Sequence, residues 1–216
     1  MYIGRIVSVA MTRDGRLCAS YRVSSRSFPN RTAVLKKDVV SIVPKAGHEV
    51  DVQKNPYIAY NCVRLVCGGQ VAVVTNGSQT DPIAEKMAQG MPARDAMALS
   101  MLALDYEKDD YNTPRVSAVV DKRDGGSGWL GVVRHDGMGV RRMPLTPGKF
   151  FYLATYEENA PRDAYSGDYD ATSAAEACVF ILGKDVFAER TNPVSSVAAM
   201  ASADGFEMAA QDAAQG

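Results

Sequence analysis

Histidine and cysteine are scarce in this chain, and their scarcity argues against several kinds of site. The 216 residues include two histidines and four cysteines. No two cysteines form a C-x-x-C pair, and neither His48 nor His135 has a second ligand at a metal-binding spacing. We therefore expect no metal, no Ser-His-Asp relay and no disulfide framework. The cysteines lie among apolar neighbours, which predicts buried, reduced thiols.

Long hydrophobic runs and the Walker phosphate-binding motif are also missing. No stretch approaches the ~20 apolar residues that cross a membrane. The apolar run after Met1 is short and is interrupted by Arg5, so it does not resemble a secretion signal. We expect a cytoplasmic protein that contacts no membrane and uses no cofactor.

Neither sign of charge is in excess. The chain has 24 Lys and Arg against 25 Asp and Glu, for a formal net charge of -1. This balance predicts no general attraction to nucleic acid. The basic residues are nevertheless concentrated in the first quarter of the chain, and the acidic ones near its end. The length suits one domain with a real hydrophobic core.

Short runs rich in Val, Ile and Tyr, separated by Gly, Pro, Asn and Asp, predict β-strands along much of the chain. They lie at about residues 2–9, 17–23, 38–44, 57–66, 70–75, 115–121, 128–134, 138–143 and 149–156. Strands followed by two helices, more strands and a last helix predict an α+β fold with mainly antiparallel sheets.

Three helices are predicted between these strands. Asp81 with Pro82 opens the first helix, and the second runs over about residues 92–108. The second carries Leu and Met on several sides, which predicts a largely buried helix. Ser173 and Glu176 form a capping box for the third.

The end of the chain has a different composition. From about residue 188 it is rich in Ala, Ser and Met with scattered acids. We expect a single domain over residues 1–187, followed by a loose extension over residues 188–216.

Three arginines crowd the segment YRVSSRSFPNR, residues 21–31. Guanidinium groups bind phosphate or carboxylate two bonds at a time, and hydroxyl groups add neutral donors. The spacing of the arginines suits an ordered loop and not one face of a helix or strand. A phosphate site and a solvated surface loop both remain open from these residues alone. The segment supplies Arg22, Arg26 and Arg31 together with Ser24, Ser25 and Ser27.

Three other segments carry groups able to do chemistry. Asp105 and Glu107 lie at the C-terminal end of the second helix, where carboxylates oppose the helix dipole, so they mark either a site or a solvated helix end. Tyr60 and Asn61 are neighbours, and a regular strand points them to opposite faces. The turn at Asn76-Gly77 presents backbone N–H groups, although ordinary strand-to-helix turns do the same.

Five stretches, taken in order, resemble the archaeal-type IMP cyclohydrolases. They are MYIGR, YRVSSRSFPNR, NPYIAYNC, TNGSQTD and LDYEKDDYNTPR, and the match extends more loosely to about residue 185. The resemblance implies the fold of the N-terminal nucleophile hydrolases, a four-layer αββα sandwich with two antiparallel sheets. Because the given chain starts with Met1-Tyr2, it also implies that fold without acyl-enzyme chemistry.

The reaction implied by the resemblance is the closure of 5-formamidoimidazole-4-carboxamide ribonucleotide (FAICAR) to inosine monophosphate (IMP), with loss of water. Neither metal nor cofactor is implied. The resemblance implies that the arginine segment, with its serines, binds the 5′-phosphate. It also implies that the asparagine and glycine residues of the site contact the ring and the carboxamide. The implied roles are phosphate binding by Arg22, Arg26, Ser24 and Ser25; phosphate or oxyanion binding by Arg31; proton transfer by Tyr60 and Glu107 with Asp105 in support; and edge recognition by Asn61, Asn76 and Gly77.

The resemblance further implies a homo-oligomer, either a tetramer or a dimer. Two other functions stay open. A purine-nucleotide-binding protein without turnover would keep the arginine segment and not need Glu107. An amidohydrolase of the same fold would need a nucleophile at its mature N-terminus.

Overall fold

The computed structural model describes residues 1–214, which form two stacked antiparallel sheets with helices outside them. The strands are β1 (Ile6–Met11), β2 (Leu17–Ser24), β3 (Arg31–Leu35), β4 (Val39–Pro44), β5 (Tyr60–Val66), β6 (Val71–Thr75), β7 (Arg115–Asp121), β8 (Ser127–Arg134), β9 (Gly137–Pro144), β10 (Lys149–Ala154), β11 (Ser166–Asp168), β12 (Pro193–Ala201) and β13 (Phe206–Asp212). The helices are α1 (Asp51–Lys54), α2 (Thr80–Ala88), α3 (Ala93–Leu104) and α4 (Ala174–Gly183).

The two sheets lie face to face. The first has the strand order β11-β10-β1-β2-β12-β13, and the second runs from β3 and β4 through β9 in chain order. Their inner faces share one apolar core, α4 covers the outer face of the first sheet, and α2 and α3 cover the second. The predicted α+β class is confirmed, and the layers follow the order αββα.

Because both faces of the first sheet are covered, β1 and β2 are buried along their whole length. Side chains still alternate between the two faces. In β2, Ala19 and Tyr21 join the core between the sheets, whereas Cys18 lies in the cluster under α4. Neighbouring residues of this strand therefore belong to different layers of the protein.

The expectation of a loose extension from residue 188 is wrong. β12 is buried in all but its first residue and pairs with β2, and β13 pairs with β12. Alanine and serine side chains are small enough for α4 to pack closely over these strands. A boundary at residue 187 would divide one continuous sheet.

Helix α3 is shorter and more exposed than its composition predicts. It ends at Leu104, and the next residue, Asp105, has a φ of 59°. Met97 and Met101 are fully buried, but Leu99 is 49% and Leu102 65% exposed. One face of α3 therefore packs on the second sheet, and the other forms an apolar surface.

One local prediction and one local motif can be read directly from the backbone. Ser173 Oγ accepts a hydrogen bond from the Glu176 N–H at 3.2 Å, which confirms the cap of α4. Residues 126–131 have the G-x-G-x-x-G spacing of dinucleotide-binding turns, but they lead into β8 and not from a strand into a helix. That spacing therefore indicates no phosphate site here.

Within residues 1–214 all four cysteines are free, and Cys18, Cys62 and Cys178 are buried. None of the helices in that part of the chain is long and apolar enough to cross a membrane.

Candidate active site

A polar cleft of about 510 Å³ opens where several loops meet at one end of the two sheets. Its charged lining residues come from distant parts of the chain: Arg5, Arg26, Arg31, Glu107 and Asp109. Aromatic rings line the remaining walls, namely Tyr2, Phe28, Tyr57, Tyr111 and Tyr156. A smaller cavity of about 180 Å³ adjoins it, lined among others by Tyr60, Gly77 and Arg115. The two cavities share Tyr57 and Glu107.

The floor of the cleft is a buried ion pair between Arg5 and Glu107. Arg5 Nη2 donates to Glu107 Oε2 at 2.6 Å, and Nη1 donates to Oε1 at 3.2 Å. Glu107 is 1% exposed, and its backbone N–H donates to the carbonyl of Thr113 at 2.8 Å. Such a two-bond pairing holds the carboxylate in one orientation.

A second guanidinium approaches the same carboxylate. Arg115 Nη1 lies 3.8 Å from Glu107 Oε1 and donates to Gln79 Oε1 at 3.2 Å. Two arginines against one carboxylate leave the cluster with net positive charge. Burial raises the pKa of Glu107, and the charge of Arg5 opposes that shift. The site therefore suits both a proton acceptor and a developing negative charge.

Two of the three predicted arginines face the cleft. Arg31 is 3% exposed, its Nε donates to the Phe28 carbonyl at 3.0 Å, and its buried Nη1 has no hydrogen-bond partner within residues 1–214. Arg26 is exposed, and its guanidinium stacks 4.4 Å from the centre of the Tyr2 ring. Ser24, Ser25 and Ser27 also line this wall. An unpartnered buried guanidinium nitrogen is a ready donor to an anion.

Arg22 lies elsewhere, so its predicted contact with phosphate is wrong. Within β2, Tyr21 faces the space between the sheets, so the alternating Arg22 side chain faces α4. Its Nη1 donates to the Leu182 carbonyl at 2.9 Å, and its Nη2 to the Arg190 carbonyl at 2.5 Å. Arg22 is fully buried, and these carbonyl groups occupy its donors.

Tyr60 and Asn61 point to opposite faces of β5. Tyr60 lines the small cavity, and its hydroxyl lies 2.6 Å from the Tyr21 hydroxyl. Asn61 instead donates to the Asp81 carboxylate of α2 at 3.1 Å and accepts from Ser41 at 2.7 Å. Asn61 is therefore a structural link between β5 and α2, and its predicted contact with substrate is wrong.

Asn76 is also structural. It is fully buried, its Oδ1 accepts the Val116 N–H at 2.8 Å, and its Nδ2 donates to the Pro114 carbonyl at 3.0 Å. Its side chain cannot read a substrate edge while it joins the turn after β6 to β7. Its own carbonyl, however, accepts from Arg5 Nη1 at 3.2 Å.

Gly77 contributes by lacking a side chain. A Cβ atom there would lie 2.7 Å from Arg115 Nη1 and 3.2 Å from Glu107 Oε1. These distances are shorter than ordinary contacts, so a side chain would displace the charged cluster. The predicted turn therefore borders the site through close backbone packing.

The carboxylate of Asp105 does not support Glu107, contrary to the prediction. It is 42% exposed and pairs with Lys108 at 3.3 Å. The backbone N–H of Tyr106 and the charge of Lys108 lower the pKa of Asp105. Only its main-chain carbonyl serves the cluster, because it accepts Arg115 Nε at 2.8 Å.

Sequence reasoning missed Arg5, Arg115, Tyr21 and Tyr57 as individual members of the site. Arg5 and Arg115 lie inside stretches that resemble the cyclohydrolases, and this resemblance was the one feature of the sequence that could have indicated them as site residues. Arg5 and Glu107 are 102 positions apart, so no local spacing indicates their pairing.

Comparisons with known proteins show which family this chain is similar to. Residues 2–205 match the family model described as IMP cyclohydrolase-like protein. An IMP cyclohydrolase from Methanosphaera stadtmanae is 50% identical over 199 residues, covering 92% of this chain and 94% of the relative. One from Methanococcus maripaludis strain C6 is 43% identical over 210 residues, 97% of this chain and 99% of the relative. One from Methanocella arvoryzae is 52% identical over 159 residues, 73% of this chain and 75% of the relative.

Proposed function

This chain belongs to the family of IMP cyclohydrolase-like proteins, and we propose that it closes FAICAR to IMP with loss of water. The observation that carries the proposal is the buried Arg5–Glu107 pair, set in a cleft whose wall holds Arg26 and the unpartnered Arg31 nitrogen. That arrangement offers cations for a phosphate and a fixed carboxylate beside the reacting atoms.

The reaction needs positioning, proton transfer and charge stabilisation. The carboxamide nitrogen of FAICAR attacks the formyl carbon, and the formyl oxygen leaves as water. Each of the two nitrogens loses one proton, and the oxygen gains both. A site that holds the formyl group against the carboxamide converts this step into an efficient intramolecular reaction. General acid–base groups then contribute about 10²–10⁴-fold.

We assign the phosphate to Arg26 with Ser24 and Ser25 at the outer wall. Arg31 stabilises the oxyanion that forms on the formyl oxygen. Its positive charge opposes the rise in the pKa of Tyr21, and the Tyr21 hydroxyl contacts that of Tyr60, so the charge of Arg31 acts on the same side of the site as Tyr60. Glu107 accepts a proton from nitrogen. The tyrosine rings of the cleft provide apolar faces for the imidazole.

The first test is turnover by the purified protein. FAICAR should convert to IMP in the presence of a chelator, and the product is followed by ultraviolet absorbance. Tight IMP binding without turnover would refute the enzyme assignment and favour a purine-nucleotide-binding protein. A reaction without protein reports the uncatalysed rate, and a matched preparation of the Glu107→Gln variant controls for contaminating activity.

We also propose that the protein is a homo-oligomer and that it works in the cytoplasm. The exposed apolar face of α3, formed by Leu99 and Leu102, is a surface that association would bury. The free thiols suit a reducing compartment.

Sedimentation equilibrium tests the assembly. We expect a mass of two or four times 23.2 kDa, and a Leu102→Glu variant should shift the mass toward that of one chain. A wild-type protein that sediments as one chain at micromolar concentration would contradict the proposal.

A further inference from the structure

We infer that Tyr21 is a positioning residue that directs the hydroxyl proton of Tyr60 away from itself, so that Tyr60 is the proton donor to the departing oxygen. The inference rests on the proposed function, which it deepens by separating the acid from the base. It stands on the geometry of two neighbouring hydroxyl groups.

The two tyrosines come from different sheets. Tyr21 belongs to β2 of the first sheet, is fully buried and lies in the core between the sheets. Tyr60 begins β5 of the second sheet and is partly buried against the same core. Their hydroxyl oxygens are 2.6 Å apart, and within residues 1–214 Tyr60 is the one hydrogen-bond partner of the Tyr21 hydroxyl.

This arrangement determines which hydroxyl donates. Burial, reinforced by the neighbouring Tyr60, raises the pKa of Tyr21 well above its usual value, so Tyr21 keeps its proton. A buried hydroxyl hydrogen without an acceptor is unfavourable. Tyr21 therefore donates to the Tyr60 oxygen. The reverse direction would leave the Tyr21 hydrogen unpaired inside the core.

The Tyr60 hydrogen must then point elsewhere. Tyr60 lines the small cavity that also contains Glu107, so that cavity is where its hydrogen finds an acceptor. In the reaction that acceptor is the oxygen leaving the formyl carbon. Glu107, held by Arg5, remains the acceptor for a nitrogen proton.

Tyr60 lies beside a hydrogen-bond donor and a buried cation. The Tyr21 hydroxyl donates to the Tyr60 oxygen throughout the reaction. Arg5 is close by: burial lowers the pKa of Arg5, but Glu107, Tyr60 and Tyr21 outweigh burial and raise it.

The step balances within the substrate. Glu107 first passes the carboxamide proton to the formyl oxygen, which becomes a hydroxyl group. The carbon–oxygen bond then breaks, the oxygen keeps the electron pair, and it takes the Tyr60 proton to leave as water. The formamido nitrogen forms the new carbon–nitrogen double bond and loses its proton. That proton returns to the Tyr60 oxygen, so Tyr60 ends the cycle as it began.

A double-mutant cycle tests the inference. Tyr60→Phe should lower kcat by about 100-fold. Tyr21→Phe should lower kcat by about tenfold in the wild type but cause no further loss in the Tyr60→Phe background. KM and the Kd for IMP should stay within about twofold in each variant, as expected for residues that act on the chemical step. Equal losses in both backgrounds would overturn the inference, because Tyr21 would then act independently of Tyr60.

Tyr152→Phe is the matched control. Tyr152 is a buried tyrosine of the same sheet whose hydroxyl donates to Glu158 at 2.9 Å, away from the cleft. Loss of this hydroxyl should leave kcat unchanged. A tenfold loss in Tyr152→Phe would show that removing any buried hydroxyl of this sheet lowers turnover, and would overturn the specific role of Tyr21.

Proton NMR of tyrosine-labelled protein gives a readout that does not require turnover. We expect a slowly exchanging hydroxyl proton that correlates with the Tyr21 ring and moves upfield in Tyr60→Phe. Assignment of the protected proton to Tyr60, or the absence of a protected proton on Tyr21, would overturn the inference. If the wild type forms no IMP, the proposed function fails, and the NMR result still decides the donor.

Discussion

Replacing Glu107 with Gln will lower kcat by about 10²–10⁴-fold and leave the Kd for IMP within about threefold. Glutamine has nearly the same shape as glutamate, and its amide oxygen still accepts from Arg5. It cannot take a proton from the substrate nitrogen. Stopped-flow absorbance with FAICAR measures the chemical step, and calorimetric titration with IMP measures affinity.

The control for this variant is Asp105→Asn. Asp105 lies two positions earlier, and its carboxylate is exposed and paired with Lys108. It should retain turnover within about twofold. Because removing one member of a buried ion pair costs about 3–5 kcal/mol, thermal unfolding of both variants must accompany the kinetics. A folded Glu107→Gln variant with near-normal turnover would remove Glu107 from the mechanism.

The same carboxylate predicts a pH dependence. Burial raises the pKa of Glu107, with Asp109 adding to it and Arg5 and Arg115 opposing it. The ionised form accepts the proton, so kcat is full above this raised pKa and falls as the pH drops through it. We expect the acid limb of the kcat profile to lie above the usual range of carboxyl groups. In Glu107→Gln that limb should disappear from the residual rate.

Replacing Arg22 with Met will destabilise the protein by about 3–5 kcal/mol, which lowers Tm by roughly 10 °C for a chain of this size. The Arg22 guanidinium donates to carbonyl groups at the end of α4 and in the segment after it, including Leu182, Phe187 and Arg190. The last carbonyls of a helix have no partners within the helix, and methionine leaves them unpaired.

Burial and the charge of Arg190 lower the pKa of Arg22 to about 10, so the group stays charged at neutral pH. Its role is therefore to hold α4 against the first sheet as a cation. The Kd for IMP, measured well below Tm, should stay within about twofold of the wild type.

Arg26→Met is the matched comparison and should behave in the opposite way. Arg26 is exposed and lines the cleft, so its loss should weaken IMP binding about ten- to hundredfold. Its Tm should change little, as expected for an exposed side chain. Weaker IMP binding in Arg22→Met, with an unchanged Tm, would contradict the arrangement described for these two arginines.

The amino-acid sequence by itself determined the class of fold, because the strand and helix signals are local. Runs of Val, Ile and Tyr, separated by turn residues, marked β1, β2 and most later strands. Ser173 marked the start of α4. The same local stretches also carried the resemblance that pointed to Arg26, Arg31, Tyr60 and Glu107, and these residues line the two adjoining cavities.

Composition was misleading where packing decides the outcome. The Ala-rich end of the chain has weak local preferences, yet it forms β12 and β13, because β2 and α4 provide surfaces on which these strands pack. In α3 the sequence pattern does not distinguish the leucines and methionines that are buried from those that are exposed. Only the position of the second sheet decided that Met97 is buried and Leu102 exposed.

Tertiary structure alone decided the direction and pairing of the site residues. Alternation of side chains along β2 directs Arg22 toward α4, and alternation along β5 directs Asn61 toward α2. The Arg5–Glu107 pair and the Tyr21–Tyr60 contact join residues far apart in the chain. Such pairs form because two sheets stack and bring their ends together, and no periodicity along the chain encodes that distance.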